Sequence, residues 1–556
     1  MKFLSSPWNV ILIIIFLSAV LFLPFLGSVP LFDWDENIFA ESAREMLITG
    51  NFYKIQSNYQ PFEEKPPFFF WLQALSMAVF GETAFAARFP NAIVGTATLL
   101  LLYLLGRKYF SSRFGIYWTL AYMSSILPHF YFRTALIDPT FNLFIFAGIF
   151  TLGLLVSTNK ELRFKRDRKA VLAGLLIGFA ILTKGPVAFL IVLLTALGFS
   201  LHKRSARLVN FREIALFTIP MLLIASAWFA TEVAINGPWF IKEFIDYQLY
   251  VLKQPHSGHS GPFYFHFIVL LLGCFPVSFF LFKGLRSFDN DNYLQRNIKA
   301  TMVIMMIVVL FIFSIVKTKL VHYSSLCYFP ISFLAAYVLI KVEGKRIFYG
   351  NLFRSLVLVM GLSLGVIFSL VMYVLDRKEY FLSRYGSYIA DPFALGNLSA
   401  DLPVSGWDYL AGPTLIVGVL LFAILFRKNF RVATLSLFIS MILTVQLLSY
   451  SLVPKIEELT QGAAIRFYTE KGSENAYMLP YGFKSFAYLF YGKKMPGYNP
   501  ESLDAGWLLG GAIDKPVYII AKEYPRHMEE LKMYTDLRLL YRENGYVFYK
   551  RPVPVQ

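Results

Sequence analysis

The chain has 556 residues, 57% hydrophobic and 18% aromatic, with 16% charged residues and a formal net charge of +17. Soluble domains carry about 25% charged residues, so this balance excludes an ordinary water-soluble protein. The positive charge does not read as a nucleic-acid footprint either, because Lys and Arg fall in short clusters between apolar runs, where they orient helices in a bilayer. Cys274 and Cys327 both sit inside apolar runs and point to neither a disulfide framework nor a thiolate metal site. The N-terminal run, which no small-residue cleavage site follows, reads as a retained first helix.

In chain order, thirteen apolar runs read as spans, near 8–30, 86–106, 114–131, 137–157, 170–183, 186–201, 213–235, 263–282, 300–316, 324–340, 351–375, 409–426 and 431–453. A further run at 67–80 makes a helix of about 21 Å, short of the roughly 30 Å of a hydrocarbon core. With the N-terminus inside, the inner connections at 107–113, 160–169, 202–212, 283–299, 341–346 and 427–431 are all basic. KELRFKRDRK at 160–169 alone carries six positive residues in ten. If 67–80 also spanned, every later loop would invert against the positive-inside rule, so that run is expected to lie as an amphipathic helix on the outer surface. Residues 1–454 are thus expected to form the membrane domain. The segment 455–556 turns polar and aromatic, with strand-like pieces at 517–521 and 546–549 around a helical stretch at 525–534, and reads as a small α/β domain on the outer side.

This topology brings an unusual set of side chains to one interface. The first outer loop holds DWDENIFAESAREM (33–46) and FEEKPPFFFW (62–71). Later ones hold RTALIDPTFN (133–142), the tight turn TKGP (183–186), KQPHSGHSGPFYF (253–265) and KTKLVHY (317–323). Each has a plain structural reading. Asp35 and Glu36 suit a helix N-terminus and Asp138 is an ordinary cap before Pro139. Lys65 and Lys184 are long enough to snorkel, His256 and His259 suit a solvated loop, and the aromatics 68–71 suit interfacial anchoring. Together they carry more weight, since ionisable groups bordering hydrocarbon are costly and mark working sites. A carboxylate is the usual base for a hydroxyl acceptor and lysines serve as point charges for phosphate.

DWDENIFAESAREM, FEEKPPFFFW and KTKLVHYSSLCYFP together resemble the bacterial GT-C glycosyltransferases, above all the lipid A aminoarabinose transferases and the protein O-mannosyltransferases, over about residues 8–342. The resemblance implies an all-α polytopic GT-C membrane fold with a periplasmic C-terminal domain. It makes Asp35 the leading catalytic residue, with Glu36 beside it and Asp138 as the second acid. It assigns the donor phosphate to Lys65 of Glu64-Lys65-Pro66, and the donor head group to Lys319 and Tyr323. His259 matches an H-x-x-P-aromatic-aromatic pattern whose histidine, with Glu64, would hold a divalent metal, zinc first. Lys184 joins the substrate-binding set by its place in the outer turn, and His256 and His322 are further candidates. Ile38 stands where the aminoarabinose transferases carry an Arg, so the acceptor is left broad: a periplasmic lipid such as lipid A, a glycan or a protein.

The expected activity is therefore inverting sugar transfer from a polyprenyl-phosphate donor, in a bacterial inner membrane and on its periplasmic side. No nucleotide is called for, as no P-loop or GxGxxG-like signature occurs. Two rivals stand beside it. A lipid-linked-sugar flippase would need polar groups along a path across the membrane, whereas here they gather at one end. A catalytically silent assembly protein of the same fold would be expected to have lost its acids and lysines.

Overall fold

The computed structural model describes residues 6–62, 64–205, 208–253, 260–286 and 291–554. All thirteen apolar runs are helical over most of their length. Among the described residues, eight helices are long and apolar enough to cross a membrane: Ala84–Tyr109, Asp138–Val156, Phe211–Ile235, Tyr293–Ile315, Val321–Glu343, Asn351–Asp376, Gly406–Leu425 and Phe430–Lys471. A bent pair, Phe265–Gly273 and Val277–Gly284, turns by 107° and makes a ninth if it counts as one broken span. The other runs are shorter or carry charge: Pro7–Phe22, Ser112–Met123 with Ile126–Tyr131, Arg163–Lys184 and Val187–Lys203. The chain is a multi-pass membrane protein. Phe68–Phe80 is a 13-residue helix, too short to cross a bilayer as the charge pattern requires.

Small residues bring the helices close. Gly174 and Gly178 lie one turn apart on Arg163–Lys184 and face the helix Phe211–Asn236. A Cβ at Gly174 would lie 2.1 Å from the Phe217 carbonyl oxygen. With lipid as solvent there is little hydrophobic drive between helices, so such close backbone approach supplies the packing.

The segment after the first apolar run forms a helix, Asp35–Thr49, in which every residue from Glu36 to Met46 is buried. A helix this polar can be enclosed only if its charges are paired or neutralised. Arg44 meets Glu41 at 2.7 Å, and Glu36 meets Arg88 of Ala84–Tyr109 at 2.7 Å. After it comes a two-residue hairpin, β1 (Gln56–Ser57) and β2 (Gln60–Pro61).

The last long helix runs from Phe430 to Glu457 and continues through a π turn, Glu458–Gly462, into Ala463–Lys471, so the C-terminal unit grows directly out of a span. Its sheet has the order β3-β4-β6-β5. These strands are β3 (Tyr477–Tyr481), β4 (Val517–Lys522), β5 (Arg538–Glu543) and β6 (Tyr546–Arg551), with β3 parallel to β4 and the other pairs antiparallel. β4 is buried on both faces. Val517, Ile519 and Ala521 pack with Tyr477 and Leu508, while Tyr518 and Ile520 pack on Phe467 and Phe548. That explains its unbroken apolar sequence, which alternation would otherwise interrupt. The expected strands at 517–521 and 546–549 and the helix near 525–534 (Pro525–Lys532) are present. β3 and β5 are additional. β5 is the exposed edge, and Pro480 interrupts the strand pattern of β3.

Candidate active site

Where the loop carrying Asp35 and Lys65 meets the ends of several helices, a cavity of about 560 Å³ opens. It is lined by Asp35, Glu64, Lys65, Asp138, Lys184, His322, Tyr323 and Tyr247, among others. Seven of these come from the motifs singled out above, drawn together from positions nearly 300 residues apart.

Asp35 is the first residue of Asp35–Thr49. It is half-buried, and among the described residues no hydrogen bond or ion pair engages its carboxylate. Its neighbour is fixed. Both Glu36 oxygens accept from Arg88, at 3.0 and 2.7 Å, and they also accept from the backbone N–H groups of Ala135 (2.5 Å) and Phe32 (2.9 Å). The Arg88 guanidinium also donates to the carbonyls of Leu26, Val29 and Pro30. With its carboxylate consumed this way, Glu36 holds the loop in place and leaves Asp35 to face the cavity.

Asp138 starts the helix Asp138–Val156 and accepts from Lys184 Nζ at 2.6 Å, with His322 Nε2 4.0 Å from its other oxygen. Lys184 ends Arg163–Lys184, where Gly185, at a φ of +98°, makes the sharp exit that a side chain would strain. Its ammonium lies 5.5 Å from the Tyr323 ring centre. Lys65 Nζ is 3.9 Å from Glu64 and 5.3 Å from the centre of the Tyr247 ring, whose hydroxyl donates to Glu64 at 2.6 Å. Burial pushes the Lys65 ammonium below the usual lysine range.

Lys319 lies elsewhere. Its Nζ donates to the Phe313 and Ser314 carbonyls, at 2.9 and 2.7 Å, capping the end of Tyr293–Ile315, and it does not line the cavity. His256 and His259 fall outside the described residues. Among those described, no three His, Cys, Asp or Glu side chains come together as a metal site.

Four contributors were not read from the sequence. Arg88 had a signal: an arginine in the apolar helix Ala84–Tyr109 needs a partner acid. Tyr247 sits on the amphipathic helix Trp239–Lys253. Lys484 and Phe486 belong to the C-terminal unit, yet both line the cavity. Asp33 brings them there: it accepts from the Ser485 hydroxyl and from the Phe486 N–H (3.0 Å), and Trp34 Nε1 donates to the Lys484 carbonyl at 2.7 Å. Burial raises the Asp33 carboxyl above the usual range. Asp33→Ala is expected to remove these bonds at a cost of about 1–3 kcal/mol. The effect would appear as faster protease cleavage within 463–551 while the spans stay intact.

Residues 64–230 match the family model described as dolichyl-phosphate-mannose-protein mannosyltransferase. The undecaprenyl phosphate-α-4-amino-4-deoxy-L-arabinose arabinosyl transferase of Pectobacterium atrosepticum is 26% identical over 369 residues, 64% of each chain. That of Proteus mirabilis is 27% identical over 62% of this chain and 61% of its own. The aligned region therefore spans less than two thirds of those two transferases. An uncharacterized protein of Aquifex aeolicus is 28% identical over 60% of this chain and 72% of its own length. The crystal structure of ArnT from Cupriavidus metallidurans bound to undecaprenyl phosphate superposes with a TM-score of 0.78 at 18% identity, covering 98% of both chains; its apo form gives 0.74. Over 98% of its length the chain has the fold of ArnT, and it resembles the GT-C glycosyltransferases, the aminoarabinose transferases among them.

Proposed function

We propose that this protein is an integral-membrane glycosyltransferase that moves a sugar from a polyprenyl-phosphate donor to an acceptor at the outer face of a bacterial inner membrane. The observation that carries this reading is the cavity itself. It brings together a carboxylate without a hydrogen-bond partner among the described residues, Asp35, and two lysines, Lys65 and Lys184, at the ends of helices in an ArnT-like fold.

In the proposed reaction the acceptor's oxygen attacks the anomeric carbon as Asp35 takes its proton. The bond from that carbon to the phosphate oxygen breaks, and the leaving phosphate keeps the electron pair beside Lys65 and Lys184. Direct displacement inverts the anomeric centre. Asp138 positions Lys184, and Glu64 with Tyr247 position Lys65. The donor brings its own leaving group, so the site needs no nucleotide. Support for the lipid-linked donor comes from the relatives, named for an undecaprenyl-phosphate sugar, and from the undecaprenyl phosphate bound in ArnT. The family resemblance points the acceptor toward lipid A, with a glycan or a protein as the alternatives the test must separate.

For the topology we propose thirteen spans. These are the nine counted above plus Pro7–Phe22, the broken Ser112–Tyr131 segment, Arg163–Lys184 and Val187–Lys203, with the active site and the C-terminal domain in the periplasm. The basic inner connections support this orientation. A divalent metal held by Glu64 and His259 stands on the family resemblance alone; its test is the metal content of purified protein before and after Glu64→Gln. No step above runs through it.

Lys65→Met is expected to weaken binding of polyprenyl phosphate by about tenfold or more, since a charge-assisted contact to phosphate is lost. Equilibrium binding of labelled lipid measures it. A lysine whose pKa is lowered by burial loses its charge as pH rises through that lowered value. Donor affinity should therefore fall at a pH below the usual lysine value of about 10.4. The same titration of Lys65→Gln should lack that fall.

A further inference from the structure

Among the described residues the Asp35 carboxylate has no hydrogen bond or ion pair, so its place is set by the chain on either side of it. On one side Glu36 is fixed by Arg88. On the other, Leu31 is fully enclosed, and a buried backbone needs partners for both its polar groups. The C-terminal unit and the end of the last long helix supply them. The Leu31 N–H donates to the Tyr491 hydroxyl at 2.6 Å, and its carbonyl accepts from Gln461 Nε2 at 2.7 Å. Gln461 Oε1 in turn accepts from the Asp33 N–H at 3.1 Å. One amide side chain thus closes on the backbone at both sides of Phe32, two residues before Asp35.

Gln461 lies in the π turn Glu458–Gly462, where the helix Phe430–Glu457 passes into Ala463–Lys471. Such turns are rare inside helices and are found most often at functional sites. The rest of the contact is firm. Phe490, at the end of the short helix Ala487–Phe490, joins Leu31, Ala40 and Ala43 in one buried apolar cluster. The Lys494 carbonyl accepts from both Arg44 (2.5 Å) and the Tyr59 hydroxyl (2.8 Å). The bonds from Asp33 and Trp34 to residues 484–486 complete it.

We infer that the C-terminal unit sets the position of Asp35, and that Gln461 is a positioning residue acting on it through the backbone of Leu31 and Asp33. The inference rests on the transferase reading above. A base held only by its flanking backbone is sensitive to that backbone, since a misplacement of about 1 Å can cost about 10²-fold in rate. Lys65 and Lys184 stand on other segments of the chain and do not depend on the clamp. Loosening it should therefore lower kcat and leave donor affinity as it was.

The test uses the full-length protein in detergent. Gln461→Met, which keeps the length of the side chain and loses both bonds, is expected to lower kcat by about tenfold or more with binding of polyprenyl phosphate unchanged. Ser485→Ala removes one bond to Asp33 and should give a smaller loss of the same kind. In a chain that already carries Asp35→Asn, Gln461→Met should cost little more, because the two act through one group. A full second loss there would overturn the inference, as would an unchanged kcat in Gln461→Met. So would an equal loss in Tyr477→Phe, which breaks a bond to Asp514 within the C-terminal unit and leaves the clamp intact. A second readout needs no activity. Cys274 and Cys327 are both buried, so the thiol introduced by Asp35→Cys can be followed by its rate of labelling with a soluble maleimide. Adding Gln461→Met should change that rate several-fold. If it does and wild type transfers no sugar to any acceptor, the clamp stands and the transferase reading falls. If wild type transfers sugar but Gln461→Met alters neither transfer nor labelling, the reverse holds.

Discussion

Asp35→Asn is expected to lower the rate of sugar transfer by about 10²–10⁴-fold, the range a positioned general base contributes. The amide keeps the shape of the carboxylate but cannot take the acceptor's proton. Because Asp35 has no hydrogen bond or ion pair among the described residues, the substitution removes no structural contact. Folding and donor affinity should therefore stay near wild type, and the loss should fall on kcat. Single-turnover transfer from labelled donor, alongside a thermal unfolding curve, measures both. Asp35→Asn that transfers at the wild-type rate would remove this residue from the mechanism.

Arg88→Met should have the largest effect on stability. It leaves Glu36 buried with a full charge and strips three backbone carbonyls, those of Leu26, Val29 and Pro30, of their donor. Breaking one partner of a buried ion pair costs about 3–5 kcal/mol. Most of that penalty is the charge left behind, so Glu36→Gln in the same chain should recover part of it. Thermal unfolding in detergent of the wild type, both single variants and the double variant measures this coupling. A single Arg88→Met variant as stable as wild type would mean that Glu36 is not held as described.

Glu36 and Asp35 show how far the amino-acid pattern reaches. It brought both into the site, because two acids at the outer edge of apolar segments are costly unless they have a task. It could not divide the roles, since these depend on Arg88, 52 residues away, reaching back to Glu36. Lys65, Lys184, Asp138 and Tyr323 were legible for the same reason as Asp35, each being a polar group at the outer end of an apolar run. Lys319 shares that pattern, yet its ammonium turns to cap the helix that precedes it, and nothing in KTKL distinguishes the two uses.

The helical runs were legible because lipid demands long apolar segments, and eight of the helices they form, or nine with the bent pair, are long and apolar enough to cross among the described residues; the short helix Phe68–Phe80 was legible from its length. Lys484 and Phe486 were not legible. Their segment, GFKSF, looks like any exposed turn, and its place beside the cavity that holds Asp35 comes from Asp33 bonding to Ser485 and Phe486, some 450 residues along the chain. Long-range docking of that kind leaves no periodicity to read.

The most direct test of the account offers the purified protein a panel of labelled polyprenyl-phosphate sugars, with envelope lipids, glycans and proteins as acceptors. The account predicts that label appears in one acceptor class with inverted anomeric configuration, and that Asp35→Asn and Lys65→Met each abolish or strongly reduce it. Labelled lipid crossing reconstituted vesicles with no transfer to any acceptor would contradict it, and would make the cavity a station on a transport path.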